Sequence, residues 1–370
     1  MKKAIICVLF LIWIFTLSAT AEETDLYKEQ LEQSGALELE DSLSDEVKEY
    51  LEQNDIDITD YNWVNNLSSE NVFAHIWNFL RGGFKKPLIS LGLIVAIVLI
   101  SAALFDTNNI PVNSAVIYAA TLAIAGIIVV PVFSSINSAV SAMKTCATFM
   151  TAFVPVFAVI TTASGKAATS VTMSGLLLGA ANGVSLLSNY VVVPLIGGYL
   201  SVSIATGISP FLNNNGLSAA IKKLSLWIVS FISTIFLGIL SIQTVVNSAA
   251  DNLSMRTAKF IIGSSVPVAG GILSEALGTL TASMSLLKSS VGIYGVVICA
   301  VIFIPILIEL ILWRFSLWVA DFIALNFSLP KISSLIQAID TVLSVLIGII
   351  LLTGAMFIIS LTVVVGSTRT

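Results

Sequence analysis

Two carboxylates sit inside long apolar runs, and they are the first residues in this sequence to which chemistry can be attached. Glu275 lies in Gly270-Gly271-Ile272-Leu273-Ser274-Glu275-Ala276, and Glu309 lies within the run from Pro305 to Trp313. An ionised side chain at the centre of a bilayer costs at least roughly 2.5–3.5 kcal/mol, so each needs a partner, water or a proton. Lys166, in the small-residue stretch Ser164-Gly165-Lys166, is a candidate partner for Glu275. Glu309 stands four residues from the end of its run and can instead snorkel to the interface. Asp106, Asp251 and Asp340 fall at expected loops or interfaces and need no function. Pro155, Pro194, Pro267 and Pro305 each interrupt an aliphatic stretch. Within a helix each would remove a backbone donor and favour a break or kink, a pattern seen at transport centres and in plain packing kinks alike.

The familiar catalytic constellations are missing. His75 is the only histidine, so neither a Ser/His pair elsewhere nor a metal-binding His/Glu helix can be assembled. There is no Walker A loop, and therefore no motor of the chain's own. Cys7 lies in the N-terminal apolar stretch, leaving Cys146 and Cys299, from which neither a disulfide framework nor a metal cluster is expected. No basic stripe with interleaved aromatics marks a nucleic-acid surface. The residues thus point to a non-enzyme that needs no cofactor.

The elements that must hold these residues are set by composition. The chain has 370 residues, 56% hydrophobic and 11% charged, against about 25% charged in a soluble domain. Charge divides it into three. Residues 1–21 carry +2, residues 22–80 hold 16 acids and two bases, and residues 81–370 hold 13 bases and six acids. Lys2 and Lys3, an apolar stretch from Ala4 to Leu17, and Ala19-Thr20-Ala21 read as a signal peptide, with an uncleaved anchor as the alternative. The acidic segment that follows, 22–86, is expected to be exported and partly helical. Its apolar positions Val72, Phe73, Ile76, Trp77, Phe79 and Leu80 mark one helix face, lying along headgroups or in a small outer core.

Eight strong spans follow: 88–105, 112–133, 146–163, 171–187, 189–208, 224–246, 291–313 and 342–365. Residues 258–290 are weaker and Gly/Ser-rich, either two short spans or a re-entrant pair, so seven to ten crossings are expected. The fold class is all-α, a polytopic helical membrane protein with a small exported acidic segment. An outside N-terminus leaves Arg81, Lys85 and Lys86 on the outer side, against the usual Lys/Arg bias.

The membrane region also looks duplicated. Met143-Lys144-Thr145 precedes Pro155 as Met255-Arg256-Thr257 precedes Pro267, 12 residues in each case. Pro194 and Pro305 follow 39 and 38 residues later, and Asn137-Ser138-Ala139 is echoed by Asn247-Ser248-Ala249. The expected organisation is a signal peptide 1–21, an exported segment 22–86 and a first span with its hairpin 87–111. Repeat A at 112–223, repeat B at 224–340 and a last span with its tail at 341–370 complete it.

Gln33-Ser34-Gly35-Ala36, Ala258-Lys259-Phe260-Ile261-Ile262-Gly263, Val266-Pro267, and Gly270-Gly271 with Ser274-Glu275-Ala276 resemble the stage III sporulation protein AE family of endospore-forming bacteria. The resemblance runs the length of the chain and is most specific over Pro267–Glu275. It implies a multi-pass subunit of the mother-cell membrane around the forespore, in a channel or secretion-like complex needed for spore development. Implied partners are the other membrane and ring proteins of the stage III sporulation A operon, including an ATPase, and stage II sporulation protein Q across the intermembrane space. The residues alone leave two other readings: a self-contained secondary transporter with Glu275 as coupling acid, and a passive scaffold. A reporter enzyme fused near residue 60 should be active only outside the cytoplasm; activity inside would invert every later span.

Overall fold

The computed structural model describes residues 27–60, 63–64, 83–104, 110–187, 190–191, 193–208 and 270–366, with scattered positions between 220 and 257. The signal segment, the amphipathic stretch around His75, and Pro267 lie outside the described residues. Helix dominates, and no strand occurs among the described residues. A 3-10 turn (Ala36–Ser42) and α1 (Asp45–Gln53) belong to the acidic segment. The apolar region supplies α2 (Lys85–Ala103), α3 (Ile110–Ala163), α4 (Ala167–Leu187), α5 (Val193–Ile208), α6 (Gly270–Asn326) and α7 (Pro330–Gly366). Four of these, α2, α3, α6 and α7, contain stretches long and apolar enough to cross a membrane.

Length is where the structure departs from the expected spans. The spans at 112–133 and 146–163 are parts of one 54-residue helix, α3. Residues 134–145, polar enough to suggest a loop, contain neither Gly nor Pro, and nothing in them stops a helix. Residues 270–290, expected within short spans or a re-entrant pair, form the first part of the 57-residue α6. That helix takes in the expected span 291–313.

The long helices end by local backbone chemistry. Gly165 follows α3 at φ 81°, the left-handed region. There the Lys166 N–H donates to Thr161 O (3.1 Å) and the Gly165 N–H to Thr162 O (3.0 Å), capping orphan carbonyls of the last turn. Ser328 does the same after α6, with the Leu329 N–H on Ala324 O at 3.0 Å. Pro330 then opens α7, where a missing N–H costs nothing.

The first reversal leads into α4 and the second folds α7 back on α6; α3, α6 and α7 form a bundle whose register can be read from side chains. α3 runs antiparallel to α6: Ser135 meets Glu309, Cys146 meets Cys299, and Phe153 meets Gly295. α6 runs antiparallel to α7 through Arg314 with Asp340 and Phe303 with Gly354. α3 and α7 are therefore parallel, as Tyr118–Lys331 and Met143–Thr353 confirm. Phe149, Phe153 and Phe157 stack along one face of α3, with centroids 5.3 and 5.2 Å apart. The rings of Phe157 and Phe153 lie in the space left by Gly292 and Gly295.

Three of the four prolines singled out in the sequence lie within described helices. Pro305 lies inside α6, and Pro155 inside α3, and both helices continue through them. Pro194 is the second residue of α5.

Packing of the seam yields a prediction. A Cβ on Gly295 would lie 2.7 Å from Phe153 Cζ and 3.3 Å from Leu361 Cδ1. Overpacking of this kind costs roughly 1–3 kcal/mol. Gly295→Ala should lower the thermal unfolding midpoint of the detergent-purified protein. Gly126→Ala, where a Cβ meets nothing within 4 Å, should leave it unchanged or raise it.

Candidate functional site

The acidic segment folds into a small lobe whose inner side is apolar. Tyr27, Leu31, Ala36, Leu39, Val47, Leu51, Ile56, Ile58 and Trp63 are buried, while every acid from Glu29 to Asp60 is exposed. Spacing explains the division: Val47 and Leu51 fall one turn apart on α1, with Asp45, Glu46, Glu49 and Glu52 on its other sides. Gly35, at φ 74°, turns the chain between the helical residues 27–33 and the 3-10 turn.

One serine of α6 receives this lobe. Trp63 Nε1 donates to Ser290 Oγ at 3.0 Å, and Ser290 Oγ lies 3.0 Å from Tyr27 Oη. Tyr27 O–H itself donates to Ile58 O at 2.9 Å. Each hydroxyl has one proton, so the direction is fixed: Trp63 to Ser290, Ser290 to Tyr27, Tyr27 to Ile58. A second tie runs from Ser283 Oγ to Gln30 Oε1 at 2.9 Å, and Trp63 packs edge-on against Tyr294 with centroids 6.0 Å apart.

Two residues before Ser290, on the opposite side of α6, lies Lys288. Its side chain is wholly buried, with Asp251 and Lys166 as its charged neighbours. Asp251 is also buried. Its carboxylate accepts the Ala168 N–H at 2.7 Å, the Thr169 N–H at 3.2 Å, and the Thr169 hydroxyl. Those two amides belong to the first turn of α4 and have no partner within the helix. Asp251 thus caps α4 from a distant part of the chain, with its charge at the positive end of the helix dipole. The start of α4 and the stretch of α6 that bears the lobe on its other side meet at this polar junction.

The remaining polar side chains line the bundle. Glu309 accepts from Ser135 Oγ at 2.8 Å, so this carboxylate has a partner on α3. Arg314 grips Asp340 in two-pronged fashion, at 2.8 and 3.1 Å. Asp321 accepts from Ser333 Oγ and from Gln337 Nε2.

Of the residues singled out in the sequence, Lys166 belongs to the junction, beside Lys288 and Asp251. Glu309 lies elsewhere in the bundle, and the side chain of Glu275 lies outside the described residues. Pro155 and Pro194 are exposed, and Pro305 is half-buried. Sequence reasoning missed Lys288 and Asp251. A lysine three residues before an apolar span looks like an ordinary interfacial anchor, and nothing local tells that Asp251 serves a helix 83 residues away. Arg314 offered a better signal: with Asp340 it was one of two opposite charges at the facing ends of successive apolar runs.

The junction can be tested at its cap. Asp251→Ala removes the acceptor for α4 and the negative neighbour of Lys288, whereas Asp251→Asn keeps one acceptor oxygen. Losing a charged cap costs roughly 1–3 kcal/mol. The unfolding midpoint of the purified protein should fall for both variants, and further for alanine.

Comparison with known proteins places this architecture. The family described as Stage III sporulation protein AE matches residues 43–368. The Stage III sporulation protein AE of Bacillus subtilis (strain 168) is 32% identical over 135 residues, 36% of this chain and 34% of the relative. The aligned stretch therefore spans about a third of that relative's length. No solved structure matches.

Proposed function

The chain belongs to the stage III sporulation protein AE family, and from that premise we propose that it is a membrane subunit of the channel or secretion-like complex that joins mother cell to forespore. Its place in sporulation and its apolar helices fit such a subunit. The finer reading rests on one observation: an acidic lobe fixed to the end of a membrane helix bundle by buried hydrogen bonds. A freestanding carrier has no use for a layer of exposed acids held rigidly at one end. A subunit that must meet other subunits beyond the bilayer does.

The acids are dense enough to affect one another. Glu40's carboxyl sits above its ordinary value through partial burial and through Asp57 nearby. A partner that brought positive charge to this face would relieve that repulsion. In this reading the lobe lies outside the mother-cell membrane, in the intermembrane space where stage II sporulation protein Q is met. The operon's ATPase and ring proteins complete the assembly. The chain performs no catalysis of its own.

Isolation of the native complex from sporulating cells tests the reading. A channel subunit should co-purify with the operon's membrane and ring proteins in fixed ratio, and Ser290→Leu, which breaks the lobe's attachment, should lower their recovery while the chain remains in the membrane. Purification of the wild-type chain alone, under conditions that preserve other membrane complexes, would favour a self-contained transporter.

A further inference from the structure

Two of the chain's three cysteines meet in the seam between α3 and α6. Sγ of Cys146 lies 3.5 Å from Sγ of Cys299. Both side chains are wholly buried and both thiols are free. They come from positions 153 residues apart, so only the antiparallel register of the two helices brings them together. The next contacts along the seam are Phe153 with Gly295 and Phe157 with Gly292, both too tight to admit a methyl group without movement.

We propose that Cys146 and Cys299 form an oxidisable dithiol, a covalent modification site that staples α3 to α6 when a small membrane-soluble hydroperoxide reaches it. A disulfide needs its sulfurs about 2.0 Å apart. Closing the gap from 3.5 Å brings the two sulfurs together by about 1.5 Å. Burial decides the oxidant. Charged or bulky thiol reagents are excluded from the seam, whereas an alkyl hydroperoxide dissolves in the apolar phase around it.

The chemistry balances in two steps. One sulfur attacks the terminal oxygen of the hydroperoxide and the O–O bond breaks. The alkoxide leaves with the thiol's proton as an alcohol, and the cysteine becomes a sulfenic acid. The second sulfur then attacks the sulfenic sulfur. The S–S bond forms, and the hydroxide released takes the second thiol's proton as water. Two thiols are oxidised and one peroxide is reduced to alcohol and water. The neighbouring thiol is close enough to capture the sulfenic acid before a second peroxide can carry it to the irreversible sulfinic state.

The test uses full-length protein in native membranes, with Cys7→Ser so that no third thiol competes. Membranes are treated with tert-butyl hydroperoxide, the protein is digested, and its peptides are weighed by mass spectrometry. The expected result is a linked Cys146–Cys299 peptide that dithiothreitol separates and that is lost completely in Cys146→Ser and in Cys299→Ser. A charged maleimide applied without denaturant should label neither cysteine. Should the serine variants fail to accumulate, the linked peptide from the parent protein decides the matter alone. Two reduced cysteines, separate sulfinic acids, or links only between different molecules would each overturn the proposal.

Discussion

The seam between α3 and α6 is the contact on which the rest of the molecule depends. Two glycines of α6, Gly292 and Gly295, leave room for the rings of Phe157 and Phe153, and this fixes the distance and register of the two longest helices. In a membrane, where lipid tails are as apolar as leucine, close packing of this kind replaces the hydrophobic effect as the force that holds helices together. Once α3 and α6 are in register, α7 has one place to lie. Val365 and Leu361 close over the same two glycines, and Phe303 settles beside Gly354. The polar pairs follow from that register and do not cause it. Arg314–Asp340, for instance, is partly open to its surroundings and would be a weak determinant by itself.

The lobe depends on the same seam at one remove. Ser290 stands two residues before Gly292, so the helix that packs against Phe157 also presents the hydroxyl that Trp63 and Tyr27 share. Lys288 points away from the lobe toward Asp251 and the cap of α4. One stretch of α6, from Ser283 to Gly295, therefore couples the acidic lobe, the bundle and α4. A chain of hydrogen bonds in which every proton has a single direction resists small shifts, because moving one member leaves another buried group unpaired. Motion at the lobe is in this way tied to motion of α6.

Much of this was legible in the sequence, and the reasons for success and failure are physical. The long apolar runs, the acidic segment and the family were all readable, because composition and short motifs are local properties. The lengths of α3 and α6 were not. Polar residues at 134–145 resemble a loop to hydropathy, but a helix continues unless backbone chemistry stops it, and only Gly165 and Ser328 provide that stop. Proline did not end these helices either, since Pro155 and Pro305 sit within continuous ones. The partners of Lys288, Asp251 and the two buried cysteines are set by tertiary register, which no single stretch of residues encodes.

The length of α3 has a consequence for where this protein can be touched. At 1.5 Å per residue its 54 residues reach about 81 Å, against a hydrocarbon thickness of about 30 Å. Even tilted by 40°, near the limit for membrane helices, it would rise about 62 Å along the membrane normal. Run straight, a helix of that length is taller than the membrane that holds it. A column of that height carries its ends into the water on one side or both, lifting whatever is mounted there clear of the lipid headgroups.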